Sequence, residues 1–277
     1  MIKYRMDKEA LVISKIKSDY IGDDGAIIGE YIYSMDGFFE DTHFKREWMS
    51  MSQIGRKAML VNISDAIAMA AKPLYALVTL ALPKDITTQE IDELTTALQE
   101  CAGEFGCEIV GGDTLSSDKL HISITIISKS SNPLTRVGLD ENSYLAFTGT
   151  LGESKKDLEA LFRGQSIDSK SKFYEPILRT DFVYQARKYL QAGMDISDGL
   201  FCDTNKILEI NKYGLEILTN INDSIGLSGE EYEMIVGFDK KYKDKVMQIA
   251  KETDTPLIIY AKVAKNDFRF ECQNHHF

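Results

Sequence analysis

The sequence contains no long hydrophobic run. Its longest apolar stretch, Tyr75–Leu82, spans eight residues, whereas a helix needs about 20 to cross the hydrocarbon core of a bilayer. Residues 1–9 also lack the apolar segment of a secretory signal peptide. These two absences predict a cytoplasmic protein that does not associate with membranes.

Cysteine is scarce, and its spacing excludes the usual cysteine-based sites. No two of the four cysteines form a CxxC pair, so neither a zinc site nor a disulfide framework is indicated. Reduced and mostly buried thiols are the simplest interpretation. The four residues are Cys101, Cys107, Cys202 and Cys272.

Positive charge is in deficit. The chain of 277 residues has 32 Lys and Arg against 43 Asp and Glu, a formal net charge of −11. This balance disfavours a nucleic-acid partner or an anionic membrane, because both require a basic surface. It remains compatible with a nucleotide site, because bound Mg²⁺ reverses the local sign of the charge.

Several catalytic motifs are also missing. The sequence has neither a Walker A motif nor a protein-kinase catalytic loop. It has no Ser-His-Asp or Cys-His nucleophile pattern and no EF-hand spacing. No residue is therefore predicted to act as a nucleophile or as a general acid or base.

Aspartates recur instead among glycines and small residues. Asp65 lies in the apolar stretch Leu60–Ala71 with no nearby cation in sequence. An unpaired buried carboxylate costs several kcal/mol or stays protonated. Mg²⁺ resolves the problem, since it prefers carboxylate oxygens and keeps water and phosphate as its other ligands. The pattern therefore suggests a multi-metal phosphoryl-transfer site. The stretches are Gly22–Gly25, Ser34–Gly37, Asn62–Asp65, Gly111–Thr114 and Met194–Gly199.

The hydrophobic pattern predicts an α+β protein. Helical and strand segments are mixed without a regular βαβ repeat, and Ser128–Pro133 is the best linker candidate. We therefore predict a domain boundary near residue 130. Helices are predicted over 8–17, 51–71, 89–105, 154–163, 179–191 and 200–212, and strands over 26–34, 75–82, 107–110, 120–128 and 144–149.

Eight short motifs resemble those of the thiamine-monophosphate kinase family. This family belongs to a superfamily with aminoimidazole ribonucleotide synthetase and selenophosphate synthetase. Each motif alone is weak, but all eight occur in the family's order and cover nearly the whole chain. They are Ile21–Ala26, Met35–Phe44, Lys57–Ala70, Gly111–Thr114, Leu134–Arg136, Pro176–Arg179, Met194–Leu200 and Ser228–Glu233.

The resemblance implies ATP-dependent phosphorylation of thiamine phosphate to thiamine diphosphate. It also implies a homodimer whose N-terminal halves pair through a mixed or antiparallel sheet with helices. In this interpretation residues 1–130 bind ATP and magnesium and dimerise, and an α+β domain of residues 131–277 completes the active site. The rival hypotheses are another ATP-using synthetase of the superfamily and a non-enzymatic metal-binding protein.

By resemblance, seven positions hold several Mg²⁺ ions around the ATP phosphates. The alternative for such aspartates is a turn or helix-cap role, and Asp23 either ligates metal or orients its loop. Met35 stands where the family often has threonine, so a hydroxyl ligand is lost or replaced by a backbone carbonyl or water. The implied metal positions are Asp24, Met35, Asp36, Asp65, Asp113, Asp195 and Asp198.

The implied ATP contacts are distributed over the chain. Ser197 could equally cap the helix at 200–212, and Phe105 could equally be a core residue at a helix end. Arg136 suits bidentate contact with phosphate, although it also reads as an ordinary linker arginine. The full set implied by resemblance is Phe105, Gly112, Asp113, Arg136 and Ser197.

The family implies three contacts to thiamine phosphate, at His43, Glu230 and Asn274. His43 otherwise reads as a strand-end histidine, and Glu230 as an exposed acid. A carboxylate at 230 suits a cationic heterocycle. Asn274 stands where the family has an aromatic residue, and this departure puts the heterocycle contacts in question more than the metal site. Transfer is expected to be direct and in line, because the acceptor phosphate oxygen is already anionic.

Overall fold

The computed structural model describes residues 8–272. Within them the helices are α1 (Lys8–Lys15), α2 (Met51–Ala68), α3 (Thr88–Glu104), α4 (Glu153–Phe162), α5 (Thr180–Ala186), α6 (Leu200–Asn211), α7 (Asp223–Gly226) and α8 (Lys243–Glu252). The strands are β1 (Ala26–Ile28), β2 (Tyr31–Phe39), β3 (Lys72–Pro83), β4 (Glu108–Ser117), β5 (His121–Lys129), β6 (Tyr144–Thr148), β7 (Ala192–Asp195), β8 (Gly214–Ile217), β9 (Met234–Phe238) and β10 (Leu257–Ala264).

The first five strands form one sheet in the order β1-β2-β5-β3-β4. All neighbours are antiparallel except β3 and β4, which run parallel and are joined through α3. Strand β5 alternates strictly: Ile122, Ile124 and Ile126 are fully buried, and the residues between them are partly exposed. This period of two is why the segment forms a strand with one face on the helices.

The last five strands form a second sheet in the order β7-β9-β6-β10-β8, with every pair antiparallel. Two of its inner strands, β6 and β9, are almost wholly buried; all five residues of β9 are buried. Strand β7 ends at Asp195, so a carboxylate lies at the end of a buried strand.

Helix α2 packs between the two halves. Ser50 and Gln53 form a reciprocal capping box at its start. Fourteen of its residues are buried, including polar Lys57, Asn62 and Ser64. Helices that are apolar on all sides lie inside a protein. One continuous core joins α2 to residues of both halves, among them Leu134 and Phe182.

The α+β class is confirmed, and the division at residue 130 stays a prediction. The predicted helices and strands recur with shifts of a few residues at their ends. One predicted strand, 107–110, was too short, because β4 continues through Gly111–Asp113, paired with β3.

The expectations about membrane-spanning segments and about cysteines can be compared with the described residues. None of their helices is long and apolar enough to cross a membrane. All four cysteines lie among these residues and none forms a disulfide there; Cys101, Cys107 and Cys202 are buried, and Cys272 is exposed.

Candidate active site

A carboxylate cluster lies where the two halves meet. Asp24 precedes β1, Asp36 lies on β2, Asp65 lies in the last turn of α2, and Asp195 ends β7. The Ser64 hydroxyl donates to Asp195 Oδ2 at 2.6 Å, which ties α2 to the second sheet. The fold therefore brings together four of the predicted metal residues, from four separate segments of the chain.

Burial and mutual repulsion both penalise charge in this cluster. Burial, with the negative charge of Asp24, raises the pKa of Asp195 to about 8. Burial raises the pKa of Asp65 well above its ordinary value, and the negative charges of Asp36, Asp195 and Asp24 add to the effect. Such shifts concentrate at functional sites. A bound cation would relieve both penalties.

Arg136 holds the loop that carries Asp23 and Asp24. Its guanidinium forms an ion pair with Asp24 Oδ1, with its Nε at 3.1 Å. Its backbone N–H donates to the Asp23 carboxylate. Burial, together with the charge of Asp24, raises the pKa of Asp23 to about 6. Arg136 and Asp24, predicted respectively as phosphate and metal contacts, are thus adjacent.

The other oxygen of Asp24 fits a metal. The Asp24 side chain is 1% exposed, and its Oδ2 is buried without a hydrogen-bond partner among the described residues. Leaving such an atom unsatisfied costs about 1–3 kcal/mol or more. Within residues 8–272 no three His, Cys, Asp or Glu side chains are already arranged around one ion. The residues therefore suit Mg²⁺, which binds through one or two carboxylates plus phosphates, better than an all-protein metal cage.

Asp203 and Lys206 belong to the site, and the sequence reasoning missed both. Asp203 is fully buried and accepts the backbone N–H groups of Ser197 and Asp198 at 3.1 and 3.0 Å. Lys206 pairs with Asp203 at 2.8 Å and with Asp198 at 2.5 Å. Burial raises the pKa of Asp203 to about 6, against the opposing charge of Lys206. Their spacing of three residues on α6 was the available signal.

Asp113 lies far from the cluster within one chain. Asp113 pairs with Thr79, Thr79 pairs with Ser123, and Ser123 pairs with Gly37 on β2. Asp113 and Gly37 are therefore three strand spacings apart, about 14 Å. Directly paired residues share a face, so Asp113 lies on the opposite face from Asp36. Its Oδ1 accepts the backbone N–H of Thr114 at 2.8 Å.

Gly112 has a structural reason to be glycine. Its φ is 153°, and a Cβ there would lie 1.7 Å from the carbonyl oxygen of Val78. The strands β3 and β4 therefore approach too closely for any side chain. Phe105 is the C-cap residue of α3 and packs against the main core. Both residues thus serve the fold, whatever they contribute to ATP binding.

A hydroxyl ligand beside Asp36 would come from Ser34, since its neighbour Met35 has no hydroxyl. The Met35 side chain is 65% exposed. Ser34 is buried, and its Oγ has no hydrogen-bond partner among the described residues. Residues two apart on a strand share a face, so Ser34 and Asp36 lie side by side. The backbone N–H of Asp36 donates to Asn62 Oδ1 at 2.9 Å, which orients this part of β2.

His43 and Glu230 are both held rigidly. His43 Nδ1 accepts the backbone N–H of Phe39 at 2.9 Å, and its ring stacks on Phe38 with centroids 5.7 Å apart. Glu230 has a left-handed φ of 54°, and its carboxylate lies 2.6 Å from Lys57 Nζ. Asn274, the third predicted substrate contact, lies outside the described residues.

A buried ionic network anchors the loop that carries Glu230. Glu231 accepts from the Ser228 hydroxyl, the Gly152 backbone N–H and Lys172. Glu233 pairs with Arg179 through two hydrogen bonds of 2.7 Å and with Lys172 at 3.1 Å. The sequence shows only the acidic residues of this network. The basic residues that pair with them lie in the segment 172–179, and a local sequence pattern cannot predict pairing between such distant segments.

Comparison with known proteins agrees with this geometry. Residues 22–129 match the family described as "AIR synthase related protein, N-terminal domain". The thiamine-monophosphate kinase of Aquifex aeolicus is 31% identical over 231 residues, which cover 79% of this chain and 74% of the relative. That of Leptospira interrogans is 31% identical over 225 residues, covering 74% and 73%.

Solved structures share the whole fold. One described as "AaThiL complexed with AMPPCP and TMP" superposes with a TM-score of 0.85 at 25% identity, covering 95% of this chain and 91% of that one. A HypE–HypF complex chain gives a TM-score of 0.79 at 17% identity, a likeness of fold alone. The match over residues 22–129 gives the chain an N-terminal domain of the AIR synthase-related class. Within that class, the chain belongs to the thiamine-monophosphate kinase family.

Proposed function

We propose that this chain transfers the γ-phosphoryl group of ATP to thiamine phosphate, giving thiamine diphosphate and ADP. A terminal phosphate oxygen of thiamine phosphate attacks the γ-phosphorus, and the bond to the β–γ bridging oxygen of ATP breaks. The observation that carries the proposal is the cluster of Asp24, Asp36, Asp65 and Asp195, with the buried, unsatisfied Oδ2 of Asp24. Family membership supports the identity of both substrates.

We further propose that the cluster holds several Mg²⁺ ions together with the ATP phosphates. When bound, Mg²⁺ neutralises phosphate charge and helps to align donor and acceptor. Asp24 and Asp195 supply buried oxygens, Asp65 supplies a half-buried carboxylate, and Asp36 supplies one at the rim. Ser34 offers a hydroxyl beside Asp36. Asp198 reaches the same region but shares its charge with Lys206.

The remaining residues position the two substrates. Arg136, fixed by Asp23 and Asp24, is placed to donate to phosphate oxygens near the cluster. His43 and Glu230 are assigned to the thiamine phosphate side. No phosphoenzyme is expected, because the acceptor oxygen is already anionic and needs no protein nucleophile.

The proposed enzyme is a homodimer that pairs through the outer face of the first sheet. This face exposes large apolar side chains, and contiguous exposed apolar surface marks interaction sites. Asp113 shares that face, so pairing would place it at the interface with the partner subunit. Use of ATP favours the cytoplasm as the site of action. The exposed apolar residues are Tyr33, Met35, Phe39, Tyr75, Leu77 and Leu115.

A coupled assay for ADP release tests the activity. Purified protein with ATP and Mg²⁺ should release ADP at a rate that depends on thiamine phosphate. Free thiamine and aminoimidazole ribonucleotide precursors are the matched alternative acceptors. A larger specificity constant for either alternative would reject the proposed acceptor and favour another enzyme of the superfamily.

A further inference from the structure

Lys57 is a buried cation whose role the reaction does not yet explain. Its side chain on α2 is fully buried, and its Nζ lies 2.6 Å from Glu230 Oε2. Lysine is almost never fully buried unless it is paired. The pair joins α2 of the first half to the 228–233 loop of the second.

Two aromatic rings confine the Lys57 ammonium. Its Nζ lies 4.1 Å from the Phe173 ring centroid and 5.7 Å from that of Phe38. Phe38 in turn stacks on the rings of Phe44 and His43, with centroids 4.8 and 5.7 Å away. Cations are attracted to ring faces, more strongly where water is excluded. Lys57 therefore contacts Glu230 directly, and only the ring of Phe38 is interposed between it and His43.

Glu230 is fixed at its backbone but open at its side chain. Its backbone N–H donates to the Ser197 carbonyl at 2.8 Å, and the neighbouring Glu231 is held by Lys172. The Glu230 side chain is 30% exposed. Without Lys57, the backbone would stay in place while the carboxylate became free to rotate toward water.

We propose that Lys57 is a positioning residue that fixes the carboxylate of Glu230 for the heterocycle of thiamine phosphate. One carboxylate oxygen is committed to Lys57, and the other is presented to the substrate side. This inference rests on the proposed function and on the assignment of Glu230 to the acceptor. It predicts that Lys57 governs the affinity for thiamine phosphate and leaves ATP affinity alone.

The test compares K57M with R56M in steady-state kinetics. Arg56 is the adjacent residue on α2 and also crosses to the second half, pairing with Glu175 at 2.8 Å, but it does not touch Glu230. K57M should raise the KM for thiamine phosphate about tenfold or more, with the KM for ATP unchanged. R56M should change either KM by less than about twofold.

A double-mutant cycle with E230Q separates positioning from general damage. If Lys57 acts through Glu230, K57M/E230Q should have the same KM for thiamine phosphate as E230Q. Multiplicative effects of the two substitutions would overturn the inference. So would a K57M enzyme whose two KM values rise together.

F173L covers the case in which K57M fails to fold. It keeps the ion pair but removes the nearer ring, so the KM for thiamine phosphate should rise about threefold and that for ATP should not change. An unchanged KM for thiamine phosphate in F173L would count against the inference. If the wild-type protein does not use thiamine phosphate, the proposed function itself fails; if it does and K57M behaves like R56M, the role of Lys57 alone fails.

Discussion

At the scale of single residues, the site is a set of carboxylates that the folded chain holds under electrostatic strain. Asp65 and Asp195 have raised pKa values because they are buried among other acids. Arg136 and Lys206 offset only part of this charge, at Asp24, Asp198 and Asp203. The site is therefore organised to gain stability from an added cation.

The Asp65→Asn substitution should separate stability from activity. Asparagine keeps the shape and removes the repelling charge, so the metal-free protein at pH 8 should gain on the order of 1 kcal/mol in its free energy of unfolding. Turnover with Mg²⁺ should fall by about a thousandfold or more. Urea unfolding in EDTA and ADP release in Mg²⁺ measure the two effects.

Asp118→Asn is the matched control, because Asp118 is an exposed aspartate in a turn outside the cluster. D118N should change neither the free energy of unfolding nor the turnover. A D65N enzyme that retains near-native turnover at limiting Mg²⁺ would remove Asp65 from the metal site.

The stability of the metal-free protein should fall as pH rises through the range set by Asp195. Its pKa is about 8 in the folded protein against an ordinary 3.8, so between these values the folded state binds more protons than the unfolded state. Raising the pH in that window therefore favours unfolding. Urea unfolding in EDTA at pH 6, 7 and 8 should show the decline, and D195N should show a smaller one. If the free energy of unfolding fell equally with pH in the wild-type protein and in D195N, the raised pKa of Asp195 would be contradicted.

At the scale of helices and strands, local signals predicted most elements. The predicted starts of α2 and α3 agree with the structure to within one residue, next to the capping residues Ser50 and Thr87, and the alternating pattern of β5 predicted its strand. The predicted strand over 107–110 was too short, because glycines weaken the strand signal and the parallel pairing of β4 with β3 depends on residues about 30 positions away. Long-range pairing leaves no trace in a local pattern.

Gly112→Ala should destabilise the fold through this pairing. The added Cβ would meet the Val78 carbonyl oxygen at 1.7 Å, at a φ that only glycine adopts easily. We expect a loss of about 3 kcal/mol or more in the free energy of unfolding. Gly111→Ala is the control, because its Cβ would meet only Leu77 Cδ2, at 3.5 Å. Equal effects in urea unfolding would show that the close approach at Gly112 is not limiting.

Sequence reasoning named the four clustered aspartates but not the residues that hold them. Arg136 was expected at phosphate, yet its pairing with Asp24 required the fold. Asp203, Lys57 and Ser34 were missed because their roles depend on burial and on partners in other elements. Acidic motifs can be recognised in the sequence, whereas the basic residues that pair with them are distributed over the chain.

At the scale of the whole molecule, the position of Asp113 leads us to expect that activity depends on assembly. It lies on the outer face of the first sheet, and three strand spacings, about 14 Å, separate it from Gly37 on β2. If dimerisation brings it to the partner's cluster, each active site draws on two chains.

Mixing two inactive variants tests this arrangement. D65N and D113N, exchanged through denaturant and refolded together, should form heterodimers with one intact site, recovering about a quarter of wild-type activity on random pairing. Either variant alone should stay inactive. Light scattering should report a dimer under assay conditions. A monomer of wild-type activity, or no recovery from mixed dimers, would contradict shared sites.

Direct transfer between substrates is best tested with ATP labelled at the γ-phosphate with ³²P. With Mg²⁺ and thiamine phosphate, the label should appear in thiamine diphosphate in proportion to the ADP formed, and EDTA should abolish its appearance. Without acceptor, no label should remain on the protein. Label bound to the protein at a level matching the active sites, or no label in thiamine diphosphate, would contradict direct metal-assisted transfer at this carboxylate cluster.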